Sequence, residues 1–143
     1  MDHVVYLDIK ARELDKLLST EKTMIIRGAT GRKMPYGRVQ EGDNLYFLEN
    51  DGSGQVQARA VVNSVFNSEK MDPETSFKLV DDNQESLSLT TAQTKRWAGK
   101  RYLVLIGVGS LEVLEPFGID KSDYGNMDDW LAVGEIDRVK LEY

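Results

Sequence analysis

Basic residues collect in one short segment of this 143-residue chain. Between positions 22 and 38 there are five basic residues and no acidic one, namely Lys22, Arg27, Arg32, Lys33 and Arg38. The last three lie in a glycine-rich loop, residues 28–38, which also carries Tyr36. Arginine offers a planar fork to phosphate groups, and an aromatic ring can stack on a base. The segment therefore predicts a loop that closes over an anionic ligand.

A second basic cluster lies further along the chain. Between Glu85 and Glu112 there is no acidic residue, and Trp97 is surrounded there by Lys95, Arg96, Lys100 and Arg101. Basic residues around an aromatic ring are typical of proteins that bind single-stranded nucleic acid. Two interpretations stay open: the cluster extends the binding surface, or its cations are solvated while Trp97 covers the core.

The residue inventory disfavours several kinds of chemistry. The chain has no cysteine, and His3 is its single histidine. A histidine-based catalytic triad and a histidine or thiolate zinc site are therefore not expected. We interpret Asp128, Asp129, Glu135 and Asp137 as helix-start and surface charges, and we expect neither a metal nor another cofactor.

Length and charge limit the class of protein. We expect one domain over residues 1–143, long enough to bury a core. A net charge of -6 and a pI near 4.8 argue against broad binding to duplex nucleic acid. The longest apolar stretch, Tyr102 to Val108, is far shorter than the roughly 20 residues of a membrane helix. We expect a cytoplasmic protein that does not associate with membranes.

The hydrophobic pattern predicts short strands with a few helices between them. The expected strands are 4–9, 23–27, 45–48, 55–65 and 102–114, and the expected helices are 10–19, 90–97 and 127–133. Residues 67–88 are expected to cross the surface with one short helical piece. Gly107 and Gly109 indicate a bend in the long strand. The fold class that follows is α+β and mainly β, a small, partly open β-barrel with short inserted helices.

The order of these elements resembles the ASCH domains of the PUA-like superfamily. Their motif is Gly-x-Lys-x-x-Glu-x-Arg followed by a Gly-Asp turn. Thr20, Lys22, Ile25 and Arg27 stand at the motif positions here, and Gly42-Asp43 matches the turn. The resemblance covers roughly the first two-thirds of the chain and the strand from Tyr102, and it leaves the stretch after Pro116 unplaced. It implies a PUA-like barrel with a basic cleft for RNA or modified nucleosides.

One branch of that family consists of small amidohydrolases that act on N4-acetylcytidine. The resemblance implies Lys22 and Glu85 as two of its catalytic residues. The nucleophile position falls at Ile25, which has no nucleophilic atom, so Thr23 could serve only with a different geometry. A shift of two residues along a strand is about 6.6 Å.

The leading hypothesis is a barrel that binds RNA or a nucleotide-like small molecule. Its ligand-binding residues would be Lys22, Arg27, Arg32, Lys33, Tyr36, Arg38, Lys95, Arg96 and Trp97. One alternative is an amidohydrolase acting on an N4-acylated cytidine, with Lys22, Thr23 and Glu85 as catalytic residues. The other is a protein-interaction module whose basic face meets an acidic partner. The sequence does not specify the oligomeric state.

Overall fold

In a computed structural model, residues 1–125 and 128–141 are described. The strands are β1 (Asp2–Leu7), β2 (Met24–Ala29), β3 (Asn44–Glu49), β4 (Gln55–Asn67), β5 (Tyr102–Val108), β6 (Glu112–Gly118) and β7 (Trp130–Gly134). The helices are α1 (Glu13–Leu18), α2 (Pro73–Asp82), α3 (Gln84–Leu87) and α4 (Thr91–Trp97), and a 3-10 helix covers Ile136–Arg138. No helix in the described part of the chain is both long and apolar enough to span a membrane.

The strands form one curled sheet in the order β2-β5-β4-β3-β1-β7, and β6 pairs with β4 as well. Strand β4 is 13 residues long, and it pairs with β3 and β6 through its first part and with β5 through its second. Its register shifts between Val56 and Ala58 and again between Val62 and Ser64. Such irregularities bend a strand, so β4 can pass from one part of the sheet to the next. The predicted mainly β, barrel-like class is confirmed as a half-barrel with short helices.

The core lies on both faces of β2. Ile25 is buried in the main cluster with Leu14, Leu17 and Phe47, inside the curl of the sheet. Its neighbour Ile26 is buried in a separate cluster with residues of α2 to α4. Successive side chains of a strand point to opposite faces, so this strand needs a continuous apolar run. The family nucleophile position, Ile25, therefore faces the core.

Three of the expectations are wrong in part. Residues 67–88, expected to hold one short helical piece, contain the two helices α2 and α3. The strand expected over 102–114 divides into β5 and β6, at the bend that the glycines indicate. A Cβ at Gly107 would collide with the Ser64 hydroxyl of the neighbouring strand. The helix expected over 127–133 is replaced, from Trp130 onward, by β7, which pairs antiparallel with β1. Met127 itself lies outside the described residues. Trp130, Leu131 and Val133 are all buried, so tertiary packing decides this segment over its local pattern.

A buried polar chain fixes β7 against β1. The Trp130 indole N–H donates to Nδ1 of His3 at 3.1 Å, and Nε2 of His3 lies 2.9 Å from Oδ2 of Asp43. Because Nδ1 accepts, the proton of the neutral ring is on Nε2, which donates to Asp43. Asp43 belongs to the Gly-Asp turn and also accepts from the Gln40 N–H. These hydrogen-bonded side chains therefore join the Gly-Asp turn to β7, the strand that carries Trp130.

This arrangement predicts a pH-dependent stability. Burial lowers the pKa of His3 below its ordinary value of 6.5, against the opposing effect of Asp43. As the pH falls below 6.5, the unfolded chain binds a proton at His3 that the folded chain does not bind. The free energy of unfolding should therefore fall with decreasing pH in this range. Urea unfolding at several pH values between 7.5 and 5 measures this slope.

His3→Gln is the matched variant, because the chain has no other histidine. It should flatten the slope just below pH 6.5, whatever its effect on the absolute stability. An identical slope in the two proteins would contradict the assignment.

Candidate functional site

Arg27 lies at the centre of the candidate site, on β2. Its side chain is buried, and Nη1 donates to the Ile26 carbonyl at 2.8 Å while Nη2 donates to the Tyr6 carbonyl at 2.8 Å. Nε lies 3.3 Å from Oδ2 of Asp129, within range of an ion pair. The angle does not suit a hydrogen bond, so among the described residues Nε–H has no hydrogen-bond partner. Arg27 is thus held firmly and keeps one unused donor.

Two tryptophan rings flank the same guanidinium. Its central carbon lies 5.7 Å from the ring centroid of Trp97 and 5.8 Å from that of Trp130. A cation at this distance from an aromatic face is attracted to it. Arg96 covers Trp97 from outside at 4.3 Å, and its Nη2 lies 3.6 Å from Asp129. Strands β2 and β7 and helix α4 therefore meet around one stacked group, which consists of Arg27, Arg96, Trp97 and Trp130.

Two adjoining clefts open on this group. Both are lined by Arg27, Arg96, Trp97 and Asp129. The first, which we name the mixed cleft, has a volume of about 320 Å³. Its ionisable lining in the described chain comprises the basic Arg27, Arg96 and Lys121, the acidic Asp8, Glu13, Asp128 and Asp129, and Tyr6. Small-molecule sites usually start near 300 Å³, so this cleft has room for a ligand about the size of a nucleobase.

The second cleft, which we name the basic cleft, has a volume of about 420 Å³. Arg27, Lys33, Arg96 and Lys100 line it, and Asp129 is its one acidic residue in the described part of the chain. Lys33 comes from the loop after β2, and Lys100 follows α4. The first and second basic clusters of the sequence therefore meet here.

The other loop residues that were predicted to bind a ligand, Arg32, Tyr36 and Arg38, lie outside both clefts. Tyr36 is half-buried, its hydroxyl donates to the Ser68 carbonyl, and its ring packs edge-on against Tyr102. Arg32 lies 5.6 Å from the ring centroids of Tyr36 and of Tyr102. These contacts hold the loop onto the sheet, and the stacking of Tyr36 on a base stays a prediction. Arg38 and Lys95 are exposed and do not line either cleft.

Lys22 is buried behind the site, with 1% of its surface exposed. Its Nζ donates to the Leu87 carbonyl at 2.6 Å and lies 3.6 Å from Oε2 of Glu13. Burial lowers the pKa of Lys22 to about 8, and nearby Arg27 lowers it further while Glu13 acts in the opposite direction. Lys22 therefore joins β2 to α1 and to the end of α3, and it lines neither cleft.

The three residues expected of an amidohydrolase do not form a constellation here. Thr23 and Glu85 are exposed and do not line either cleft. The Lys22 ammonium faces Glu13 rather than Glu85. The structure instead supplies Glu13, which lies in α1, is 5% exposed and lines the mixed cleft.

Sequence reasoning missed Glu13, Gln93, Asp129 and Trp130. Glu13 had a detectable signal, because it lies four residues before Leu17 and therefore on the buried face of its helix. Gln93 had one too, as the third helical residue after the Thr90 N-cap in a capping box. Asp129 was interpreted as a surface charge, but it lies between Arg27 and Arg96. Nothing local in the sequence indicates that contact.

The fold is similar to that of ASCH proteins of known structure, as the sequence resemblance predicted. The crystal structure of ASCH from Zymomonas mobilis is similar, with a TM-score of 0.65 and 13% identity over 90% of this chain and 85% of that chain. A Tyr-to-Phe variant of that protein gives 0.65 and 13% over 90% and 87%, and a Ser-to-Ala variant gives 0.61 and 14% over 82% and 73%. No family model and no curated protein matches the chain. At such identities the likeness establishes the fold.

The burial of Lys22 predicts how stability changes in the alkaline range. Between pH 8 and 10.5 the unfolded chain keeps its proton at this lysine, while the folded chain loses it. The deprotonation of Lys22 should therefore make the free energy of unfolding rise with pH in this range. Denaturant unfolding between pH 7.5 and 10 measures the slope, and Lys22→Met should remove the contribution of Lys22 to it.

Lys10→Met is the control, since Lys10 is exposed. It should keep the slope of the unchanged protein. Equal slopes in Lys22→Met and Lys10→Met would show that Lys22 does not titrate as its burial requires.

Proposed function

We propose that this protein binds single-stranded RNA, or a nucleotide-like small molecule, across the basic and mixed clefts. The observation that carries the proposal is the basic cleft, where cations from both basic clusters of the sequence meet: Arg27 and Lys33 from the first, Arg96 and Lys100 from the second. Clustered cations in a concave surface attract an anionic ligand. The likeness to ASCH proteins is consistent with this function at the level of the fold.

The basic cleft suits a phosphate group. Four cations line it against one carboxylate in the described residues, although the whole chain carries a net charge of -6. Side chains of Lys33 and Lys100 make no ion pair with described residues, so their charge is available to a ligand. A concentrated positive field in a concave surface attracts anions and raises their local concentration. The negative remainder of the surface would disfavour long duplexes, which need many phosphate contacts.

The stacked group between the clefts suits a planar base. Arg96 lies over Trp97, and its guanidinium is more than half exposed. Bases in single-stranded RNA stack on aromatic rings and on guanidinium planes. A base placed against Arg96 would have its phosphate near Lys33 and Lys100.

Amide hydrolysis is less well supported. Its general base would be Lys22, which has a lowered pKa but lines neither cleft, and its nucleophile position is occupied by the core residue Ile25. The protein-interaction alternative remains the outcome to expect if no nucleic acid binds.

The proposal predicts a steep salt dependence. Binding of a fluorescent single-stranded RNA should weaken as salt rises, with a log-log slope near -0.7 for each phosphate neutralised. Lys100→Ala should weaken binding for every RNA sequence. It should also reduce the magnitude of that slope by about 0.7, the value of one phosphate contact. Fluorescence anisotropy at several salt concentrations measures both quantities.

Lys78→Ala is a matched control, because Lys78 is an exposed lysine of α2 outside both clefts. It should leave affinity and slope unchanged. Equal effects of the two substitutions would place RNA elsewhere on the surface, and no binding of RNA to the unchanged protein would reject RNA as the ligand.

A further inference from the structure

The mixed cleft contains more carboxylate groups than a phosphate-binding site should. Four carboxylates line it in the described chain, those of Asp8, Glu13, Asp128 and Asp129. A phosphate here would meet like charges, whereas the basic cleft next to it would attract it. If RNA binds across both clefts, the uncharged base must therefore occupy the mixed cleft.

Glu13 is the most constrained of these acids. Its Oε1 accepts the Asp8 backbone N–H at 2.9 Å, and its Oε2 lies 3.6 Å from Nζ of Lys22. An ionised carboxylate has about four acceptor positions, so each oxygen can accept a further donor. Only 5% of the residue is exposed, and it lines the cleft. Glu13 thus presents a fixed acceptor to whatever occupies the cleft.

Gln93 supplies the opposite kind of group. Its Oε1 accepts the Thr90 backbone N–H at 3.1 Å in the capping box that starts α4, and this fixes the orientation of the amide. Its NH₂ makes no hydrogen bond within the described chain and belongs to a 5% exposed residue that lines the same cleft. The mixed cleft therefore offers charged acceptors, of which Glu13 is the most buried, beside the amide donor of Gln93 and the guanidinium of Arg27.

We infer that the mixed cleft selects a nucleobase that carries an amino group, with Glu13 accepting from that group. The inference rests on the proposed RNA-binding function and specifies its ligand. Cytosine presents an amino donor beside ring and carbonyl acceptors, which match Glu13 and the donors of Gln93 and Arg27. Guanine presents an amino group beside a ring N–H and a carbonyl. Uracil would turn a carbonyl oxygen toward the carboxylate, where both groups are acceptors.

The first experiment uses the unchanged protein and matched pairs of ligands. Short single-stranded RNAs of uridylate are compared with the same RNAs carrying a cytosine at one position, and RNAs with one guanine are compared with RNAs with one hypoxanthine. The guanine pair tests the amino group alone, because hypoxanthine is guanine without it, whereas the cytosine pair exchanges the carbonyl and ring N–H of uracil for an amino group and a ring acceptor. The RNA with the amino group should bind about tenfold more tightly, as expected for one hydrogen bond to a charged acceptor.

The second experiment uses Glu13→Gln. A carboxamide offers a donor as well as an acceptor, so it accommodates uracil as readily as cytosine. The tenfold preference should fall to about twofold or less, while binding of the uridylate RNA persists. Glu41→Gln, which makes the same change at an exposed position outside the cleft, should keep the preference.

The outcomes distinguish a failure of this inference from a failure of the proposed RNA binding on which it rests. Equal affinities within both matched pairs, or an unchanged preference in a folded Glu13→Gln protein, would overturn the inference and leave RNA binding in place. In that case Glu13 serves only as the partner of Lys22. No salt-sensitive binding of any RNA would reject both. If thermal unfolding shows that Glu13→Gln does not fold, the matched pairs on the unchanged protein decide.

Discussion

The buried guanidinium of Arg27 is the interaction on which the rest of this structure depends. A charge removed from water is strongly destabilising unless polar partners surround it. Arg27 obtains a carbonyl from its own strand, a carbonyl from Tyr6 on β1 and an ion pair with Asp129 just before β7. These partners come from distant parts of the chain, so β1, β2 and the start of β7 must converge at one point. The clefts lie beside this point of convergence, and both are lined by Arg27.

Lys22, which is also a buried cation, has a different role. Lys22 and Arg27 occupy the lysine and arginine positions of one motif, yet only Arg27 lines a cleft. The Lys22 ammonium is satisfied internally by Leu87 and Glu13, and an ammonium bound on all sides is unavailable to a ligand. Its contribution to the site is indirect, because it holds Glu13 where that carboxylate faces the mixed cleft. Arginine suits the ligand side better, since its five donors allow internal anchoring and an outward contact together.

Local patterns predicted those features that depend on local physics. The helix expected over 90–97, the strand expected over 23–27 and the bend near Gly107 follow from hydrogen bonding, burial and steric fit within a few residues. Strand β7 was mistaken for a helix because an aspartate pair before an apolar segment is also a good helix start. The carboxylate beside Lys22 could not be predicted for a related reason. The resemblance places Lys22 and Glu85 in one catalytic site, whereas the ion pair of Lys22 is with Glu13 of α1, and tertiary packing brings those two residues together.

The different charges of the two clefts favour one orientation of a bound ligand. The two clefts share Arg27, Arg96 and Asp129, but the basic cleft adds two lysines, whereas the mixed cleft adds three carboxylates and one lysine in the described chain. An anion that is held by the shared arginines is therefore drawn toward Lys33 and Lys100 and repelled from Glu13 and Asp8. A neutral group with hydrogen-bond donors experiences the opposite preference. A nucleotide contains both kinds of group on one short scaffold, and a cleft divided in this way can orient it without any movement of the fold.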